Sequence, residues 1–263
     1  MKMTSELRFL AALVETNVKA CLALRGAFWL QVAGMALNNA LFFVMWWILF
    51  DRFEEIRGWR LEDMLSLYGV VAAGFGLAVV LGGGIRDLAR TISDGDLDPM
   101  LTQPRSVVVQ AVAGRSLATG WGDFASGVVM VGLSGYLAPD RVPVLILAIV
   151  LSASTVVATG VLLGSAAFWA SRVESLARMA LEYSITFSLY PPTLFHGPMR
   201  IVLFTLVPAG FIGYLPASLL REFEWTTLGL AICGVSAYGS VAAFVFGRGP
   251  RMYASGSRFG VRV

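Results

Sequence analysis

The residues able to do chemistry are few, and their spacing fits no catalytic or metal-binding pattern. His196 is the single histidine, which removes multi-histidine metal sites and the HExxH helix. Lys2 and Lys19 are the two lysines, and neither follows a glycine-rich loop, so this chain cannot form a P-loop. Gly74-Phe75-Gly76 runs on to Val79 where a dinucleotide fingerprint requires glycine, and no GxSxG elbow occurs. Cys21 and Cys233 lie far apart and suggest neither a disulfide framework nor a zinc site. His196, within Phe195-His196-Gly197-Pro198, reads as an interfacial polar side chain near a turn. The expectation is a chain that is not an enzyme, with no catalytic residue, no metal and no cofactor of its own.

Three polar features stand out nonetheless. Asp123 is the one acid within its apolar stretch, and an intramembrane carboxylate is a candidate pathway residue by default. It lies about 12 Å of helix beyond Arg115, so both side chains sitting near the inner headgroups is an equal expectation. The segment from Arg86 to Pro104 is the most informative. Asp94-Gly95 is a turn signal, Asp98 reads as an N-cap, Pro99 as the first helical residue, and Pro104 as the stop. The resulting helix of one to two turns presents Leu97, Met100 and Leu101 either to a groove on a partner or back onto the membrane helices. Glu174, Arg178 and Glu182 fall at i, i+4 spacing, a charged stripe that suits a second partner contact or a solvated helix end.

The elements that must position these residues are membrane helices. Of 263 residues, 57% are hydrophobic and 14% charged, with a mean hydropathy of +0.74. Soluble domains run near 45–50% apolar and about 25% charged. The net charge of +3, from 20 basic and 17 acidic residues, is too balanced for a nucleic-acid partner. A span needs about 20 apolar residues. Gly26–Phe50, Met64–Ile85, Val142–Ser171 and Trp225–Gly247 meet this without a charge. A further span is expected from about Ser116 within Gln110–Ala138, and another over Tyr183–Met199 extended back through Leu176. Ile201–Leu220 is long enough to cross, yet Pro191, Pro192, Pro198, Pro208 and Pro216 cluster around it, half of the ten prolines.

Charge placement decides the topology. Lys2, Arg8, Lys19 and Arg25 precede the first span, and Arg248, Arg251, Arg258 and Arg262 follow the last. The positive-inside rule then places both termini in the cytoplasm, so the span number is even. Six spans result if Ile201–Leu220 enters and leaves on the outer side. No signal peptide is expected. Leu7, Leu10, Ala11, Val14, Val18 and Leu22 recur at helical spacing, as in an amphipathic helix along the inner surface or a continuation of the first span. Phe42, Phe43, Trp46, Trp47 and Phe50 read as an outer aromatic belt. Gly74-xxx-Ala78-xxx-Gly82 and Gly160-xxx-Gly164 suit close helix contacts, whether sliding or static.

The amphipathic start, the six spans and the loop Ile92-Ser93-Asp94-Gly95-Asp96-Leu97-Asp98, followed by Leu101 and Pro104, resemble the ABC type-2 exporter permeases. The likeness is strongest to bacterial permeases that pair with a separate ATPase chain. Thr186-Phe187-Ser188-Leu189-Tyr190-Pro191, Leu206-Val207-Pro208-Ala209, Tyr214-Leu215-Pro216-Ala217 and Arg251-Met252-Tyr253-Ala254-Ser255-Gly256 share it. The resemblance implies an all-α permease domain over residues 1–263, with an N-terminal elbow helix and re-entrant helices between spans five and six. It implies an ATPase-coupling helix carrying Ile92, Asp94, Gly95, Leu97, Asp98, Met100, Leu101 and Gln103. It further implies two ATPase subunits, which would hold ATP and Mg, a second permease of the same or a paralogous chain, and a bacterial inner-membrane location. An ion-gradient-driven transporter and a non-transporting membrane scaffold are the alternatives. The first predicts inverted repeats and buried charges at mid-membrane, and no convincing repeat is visible.

Overall fold

The computed structural model describes residues 2–253, with the backbone alone for residues 2–5 and 7. Arg258, Arg262 and Ala254-Ser255-Gly256, together with the side chains of Lys2 and Leu7, lie outside the described residues. Among the described residues there are twelve α-helices and no β-strand, as an apolar chain that must satisfy its own backbone requires. They are α1 (Lys2–Ala23), α2 (Arg25–Arg52), α3 (Leu61–Gly82), α4 (Leu88–Ser93), α5 (Asp98–Leu101) and α6 (Val107–Ala113). Then follow α7 (Thr119–Leu133), α8 (Val142–Gly164), α9 (Glu174–Ser188), α10 (Pro198–Thr205), α11 (Leu215–Arg221) and α12 (Trp225–Arg248).

α3 and α8 form the centre and are mostly buried, whereas α2 and α12 flank them and leave most of their apolar surface exposed. An exposed apolar helix surface of this length belongs in lipid or against another membrane helix. One end of the bundle, here the basal end, gathers α1, α4–α6, the start of α9 and the foot of α12. The opposite, distal end holds the turns from α2 to α3 and from α7 to α8, with the end of α11. Glycine sets the closest approaches. A Cβ on Gly127 would stand 2.5 Å from the Gly69 carbonyl, and one on Gly120 2.7 Å from that of Gly76. α7 is thereby pressed along α3. Gly74 faces Ser152, Gly160 faces Ile85 and Gly164 faces Leu88, so both small-residue motifs sit in tight contacts between α8 and the α3–α4 segment.

Four helical stretches are long and apolar enough to cross a membrane: Arg25–Arg52, Leu61–Ser93, Pro139–Phe168 and Trp225–Arg251. They contain three of the four charge-free runs of the sequence whole, and the fourth, Val142–Ser171, as far as Phe168. A fifth arises if the pair Pro198–Thr205 and Gly210–Arg221, bent by 71°, is counted as one. The two spans inferred with less direct support come out shorter than expected. α7 and α9 have 15 residues each, about 22 Å of helix. The apolar run before α7 is broken at Gly114–Ala118, because its backbone leaves the helix to pair with the end of α3. Gly83 N–H donates to the Arg115 carbonyl at 2.9 Å, and Leu117 N–H to that of Val79 at 3.1 Å. The glycines at 82–84 admit this backbone, since a Cβ on Gly83 would meet the Arg115 carbonyl at 3.0 Å.

α1 is a helix in its own right, separated from α2 by non-helical backbone at Leu24. It lies on α6, where Asn17 Nδ2 donates to the Ala113 carbonyl at 2.7 Å. The aromatic group on α2 differs from the expected outer belt. Trp46 and Phe50 are buried, Phe42 packs on Tyr68 and Trp46 on Tyr190, and Trp47 faces outward. The turn of α2 that carries them faces the bundle, which periodicity-free hydrophobicity cannot reveal.

Candidate functional site

The basal end is where the chain offers a shaped polar surface. α4 closes with a Schellman motif: Asp96 N–H reaches the Thr91 carbonyl at 3.0 Å and Gly95 N–H that of Ile92 at 3.3 Å. Gly95 takes φ +82°, the left-handed conformation that glycine adopts without a steric penalty. This fixes the Asp94-Gly95 turn read from the sequence. α5 then starts at Asp98, with Pro99 in its first turn, and Leu97 occupies the cap position one residue earlier than expected. Met100 and Leu101 N–H both bond the Leu97 carbonyl at 2.9 Å.

The side chains of this loop divide into two sets. Ile92 and Leu97 are buried, Leu97 completely. Of the two orientations expected for Leu97, the structure has the one directed back onto the membrane helices: it is the anchor that fastens α5 to the bundle. Leu101 is 40% exposed. Pro99, Thr102 and Gln103 are exposed beside it, with Met100 half-buried, and Asp94, Gly95 and Asp98 are partly covered. Gln110 Nε2 donates to the Met100 carbonyl at 3.4 Å, and so props α5 from α6.

The charged stripe on α9 also turns out to be engaged within the chain. Asp87 accepts from Arg178 Nη2 at 2.6 Å and from Arg115 Nη1 at 2.5 Å, while Arg86 Nη2 donates to Glu182 at 2.8 Å. These pairs tie the ends of α3, α6 and α9 together. Each pair has at least one well-exposed member, with Asp87 and Arg86 partly covered, so each contributes about 1 kcal/mol. Glu174 lines a neighbouring cavity of about 240 Å³ with Arg86, Arg90, Ser175 and Arg178.

Asp123 lies deeper in the bundle. It is 5% exposed and accepts from Asn39 Nδ2 at 2.9 Å. Asn39 is midway along α2; it also donates to Ser126 Oγ at 2.7 Å and accepts from the Tyr68 hydroxyl at 3.0 Å. α2, α3 and α7 thus share one buried polar cluster. Asn39 was the missed partner. The signal was available, since Asn38-Asn39 interrupts an otherwise apolar run at its centre.

At the distal end a second buried group was not anticipated. Asp63 is 2% exposed. It accepts from Arg221 Nε at 2.8 Å, the Tyr136 hydroxyl at 2.6 Å and the Arg60 backbone N–H at 2.9 Å. Arg221 also lies 5.0 Å over the Trp59 ring. Burial and the Asp63 carboxylate both push the Tyr136 phenol up, which keeps it a donor. The segment ending at Arg221 starts near Arg57, whose Nη1 contacts His196 Nε2 at 2.9 Å. A guanidinium only donates, so that ring nitrogen is the acceptor. Between these distal ends the bend reaches the middle of α12, where the Tyr238 hydroxyl donates to the Thr205 carbonyl. Among the described residues no group of His, Cys, Asp and Glu is arranged to hold a metal.

A multi-helix bundle with long apolar helices and exposed apolar flanks is the architecture of a multi-pass membrane protein. Residues 36–257, more than four-fifths of the chain, match the family described as ABC-2 family transporter protein. The chain belongs to that family. It is a multi-pass permease of an ABC transporter. No curated protein and no solved structure matches it.

Proposed function

We propose that this chain is the transmembrane subunit of an ABC exporter, driven by a separate ATPase subunit that grips its basal end. The observation that carries this reading is α5, which pairs a buried anchor, Leu97, with an outward face of Pro99, Leu101, Thr102 and Gln103. A short helix held from beneath can transmit a push without folding away from it. ATP and Mg would be bound by the partner, since neither lysine of this chain could serve a P-loop. Glu174 is the proposed second contact, with Arg178 and Glu182 bracing α9 against the end of α3.

The basal end is taken as cytoplasmic. Lys19, Arg25, Arg86, Arg90, Arg105, Arg115, Arg172, Arg178, Arg248 and Arg251 gather there, as the positive-inside rule expects of a bacterial inner-membrane protein. With both termini on that side, six crossings follow when α7 and α9 serve as short spans. α10 and α11 then form a re-entrant unit on the outer side, and α1 an elbow helix on the inner surface. At this bend Pro208 and Ala209 are buried, as non-helical backbone at depth requires, while the Leu206 side chain faces outward. A second permease, identical or paralogous, would cover the exposed face of α2. Membership of an ABC family argues against a gradient-driven carrier and against a passive scaffold.

The test is a photo-crosslinking residue at position 101, compared with one at Ile146, an exposed apolar position on α8. Position 101 is expected to capture an ATP-binding subunit in native membranes, and position 146 to capture none. Capture from neither position, with the chain correctly inserted, would remove the coupling assignment.

A further inference from the structure

The polar cluster shared by α2, α3 and α7 is one donor short. Asn39 has two amide N–H groups, one spent on Asp123 Oδ1 and one on Ser126 Oγ. The Tyr68 hydroxyl gives its hydrogen to Asn39 Oδ1. The Ser126 hydroxyl gives its own to the Gly122 carbonyl at 2.7 Å, with the Asp123 carbonyl at 3.2 Å as the second acceptor. Nothing is left for Asp123 Oδ2, which is buried without a hydrogen-bond partner. Among the described residues no cationic side chain stands within ion-pair distance of Asp123 either. Asp63 makes the contrast plain. It is as deeply buried, yet it holds a guanidinium, a phenol and a backbone N–H. A sealed carboxylate with no counter-charge is costly, and such acids in membrane bundles mark sites that take up a cation.

We propose that Asp123 binds a monovalent metal cation, sodium or potassium, at Oδ2, and that this ion fastens α2 to α3 and α7. The chemistry of the cluster selects that class. A carboxylate, two hydroxyls and an amide oxygen are hard donors, which suit alkali and alkaline-earth ions rather than soft metals. One negative charge is balanced by one positive charge, so a monovalent ion leaves the site neutral. The seam is also narrow. A Cβ on Gly122 would meet the Val32 carbonyl at 2.5 Å, and one on Gly76 would meet Asp123 Cβ at 3.0 Å. A bare ion fits such a seam and an organic amine does not. The hydroxyl oxygens of Ser126 and Tyr68 keep lone pairs and are the neutral ligands at hand. Asn39 is one of four buried residues on the 28-residue α2, beside Phe28, Trp46 and Phe50, and the polar one among them. An ion at its partner therefore acts where α2 has its one polar hold on the bundle. The proposal goes beyond the coupling reading and needs no ATPase.

The test uses the purified full chain in detergent, dialysed into choline chloride and titrated with sodium chloride or potassium chloride at constant ionic strength. A saturable rise of about 3 °C in the melting midpoint is expected with at least one of the two salts, as for a ligand held at about ten times its dissociation constant. The salt that acts at the lower concentration identifies the ion. Asp123→Asn keeps the shape and removes the charge; it is expected to fold and to show no rise. Ser126→Ala should keep the rise but move its half-saturating concentration up severalfold, and it carries the assignment if Asp123→Asn fails to fold. Equilibrium dialysis with radiolabelled sodium, and with rubidium in place of potassium, should give one saturable site per chain in the wild type. Equal midpoints in choline, sodium and potassium chloride, with no saturable binding, would overturn the proposal and leave a proton as the partner of Asp123. An equal rise in the wild type and in Asp123→Asn would overturn it too, because the ion would then sit elsewhere.

Discussion

Arg221→Gln is expected to destabilise the chain by about 3 kcal/mol, read as a fall of several degrees in the melting midpoint in detergent. Asp63 is almost fully buried, and Arg221 is its only charged partner within ion-pair distance among the described residues. Removing one member of a buried pair strands the other, and sealed pairs lose about 3–5 kcal/mol in this way. The lower end applies here because the Arg221 side chain is 35% exposed. Tyr136 and the Arg60 N–H also remain to hold the carboxylate. The double variant Asp63→Asn with Arg221→Gln should recover most of the loss, since no uncompensated charge is left inside. A double variant as unstable as the single one would show that Arg221 acts through its packing on Trp59 instead.

Leu97→Asp and Leu101→Asp should have opposite consequences although four residues separate them. At Leu97 the carboxylate would enter a site with no exposure, and an unpaired buried charge outweighs much of the stability of an ordinary domain. Loss of the folded chain, seen as aggregation on size-exclusion chromatography, is the expected result. Leu101 is 40% exposed, so Leu101→Asp should fold and insert normally. Its effect should fall on ATPase association, which is expected to weaken by about 2 kcal/mol or roughly thirtyfold, as at a partner hot spot. Equal retention of the ATPase by Leu101→Asp and wild type would exclude α5 as the grip.

Much of the basal loop is legible from residue types alone. Gly95 can take the left-handed turn that ends α4, Pro99 fits a first helical turn, and both act within a few residues of themselves. The charge-free runs likewise yield α2, α3, α8 and α12, because a lipid core selects on composition and length. What the sequence hides is tertiary. The break at Gly114–Ala118 exists because the glycines at 82–84 accept that backbone, a bargain struck between segments thirty residues apart. Which way Leu97 faces depends on where α4 ends and what lies beneath it. The pairings of Asp63 with Arg221, of Asn39 with Asp123 and of Asp87 with Arg178 span 84 to 158 positions. No periodicity encodes such distances. Even so, the acids themselves are visible: Asp123 stands out inside its apolar run, and Asp63 and Asp87 beside theirs could be flagged on the same ground, because such an acid must find a donor.

The most direct measurement is ATP hydrolysis in liposomes that contain the purified chain, with and without its ATPase subunit. The expected result is no hydrolysis by the chain alone and vesicle-bound hydrolysis once both are present, reduced to the soluble background by Leu101→Asp. Solute movement across vesicles that hold only this chain, or hydrolysis indifferent to Leu101→Asp, would contradict a permease that is worked from its basal end.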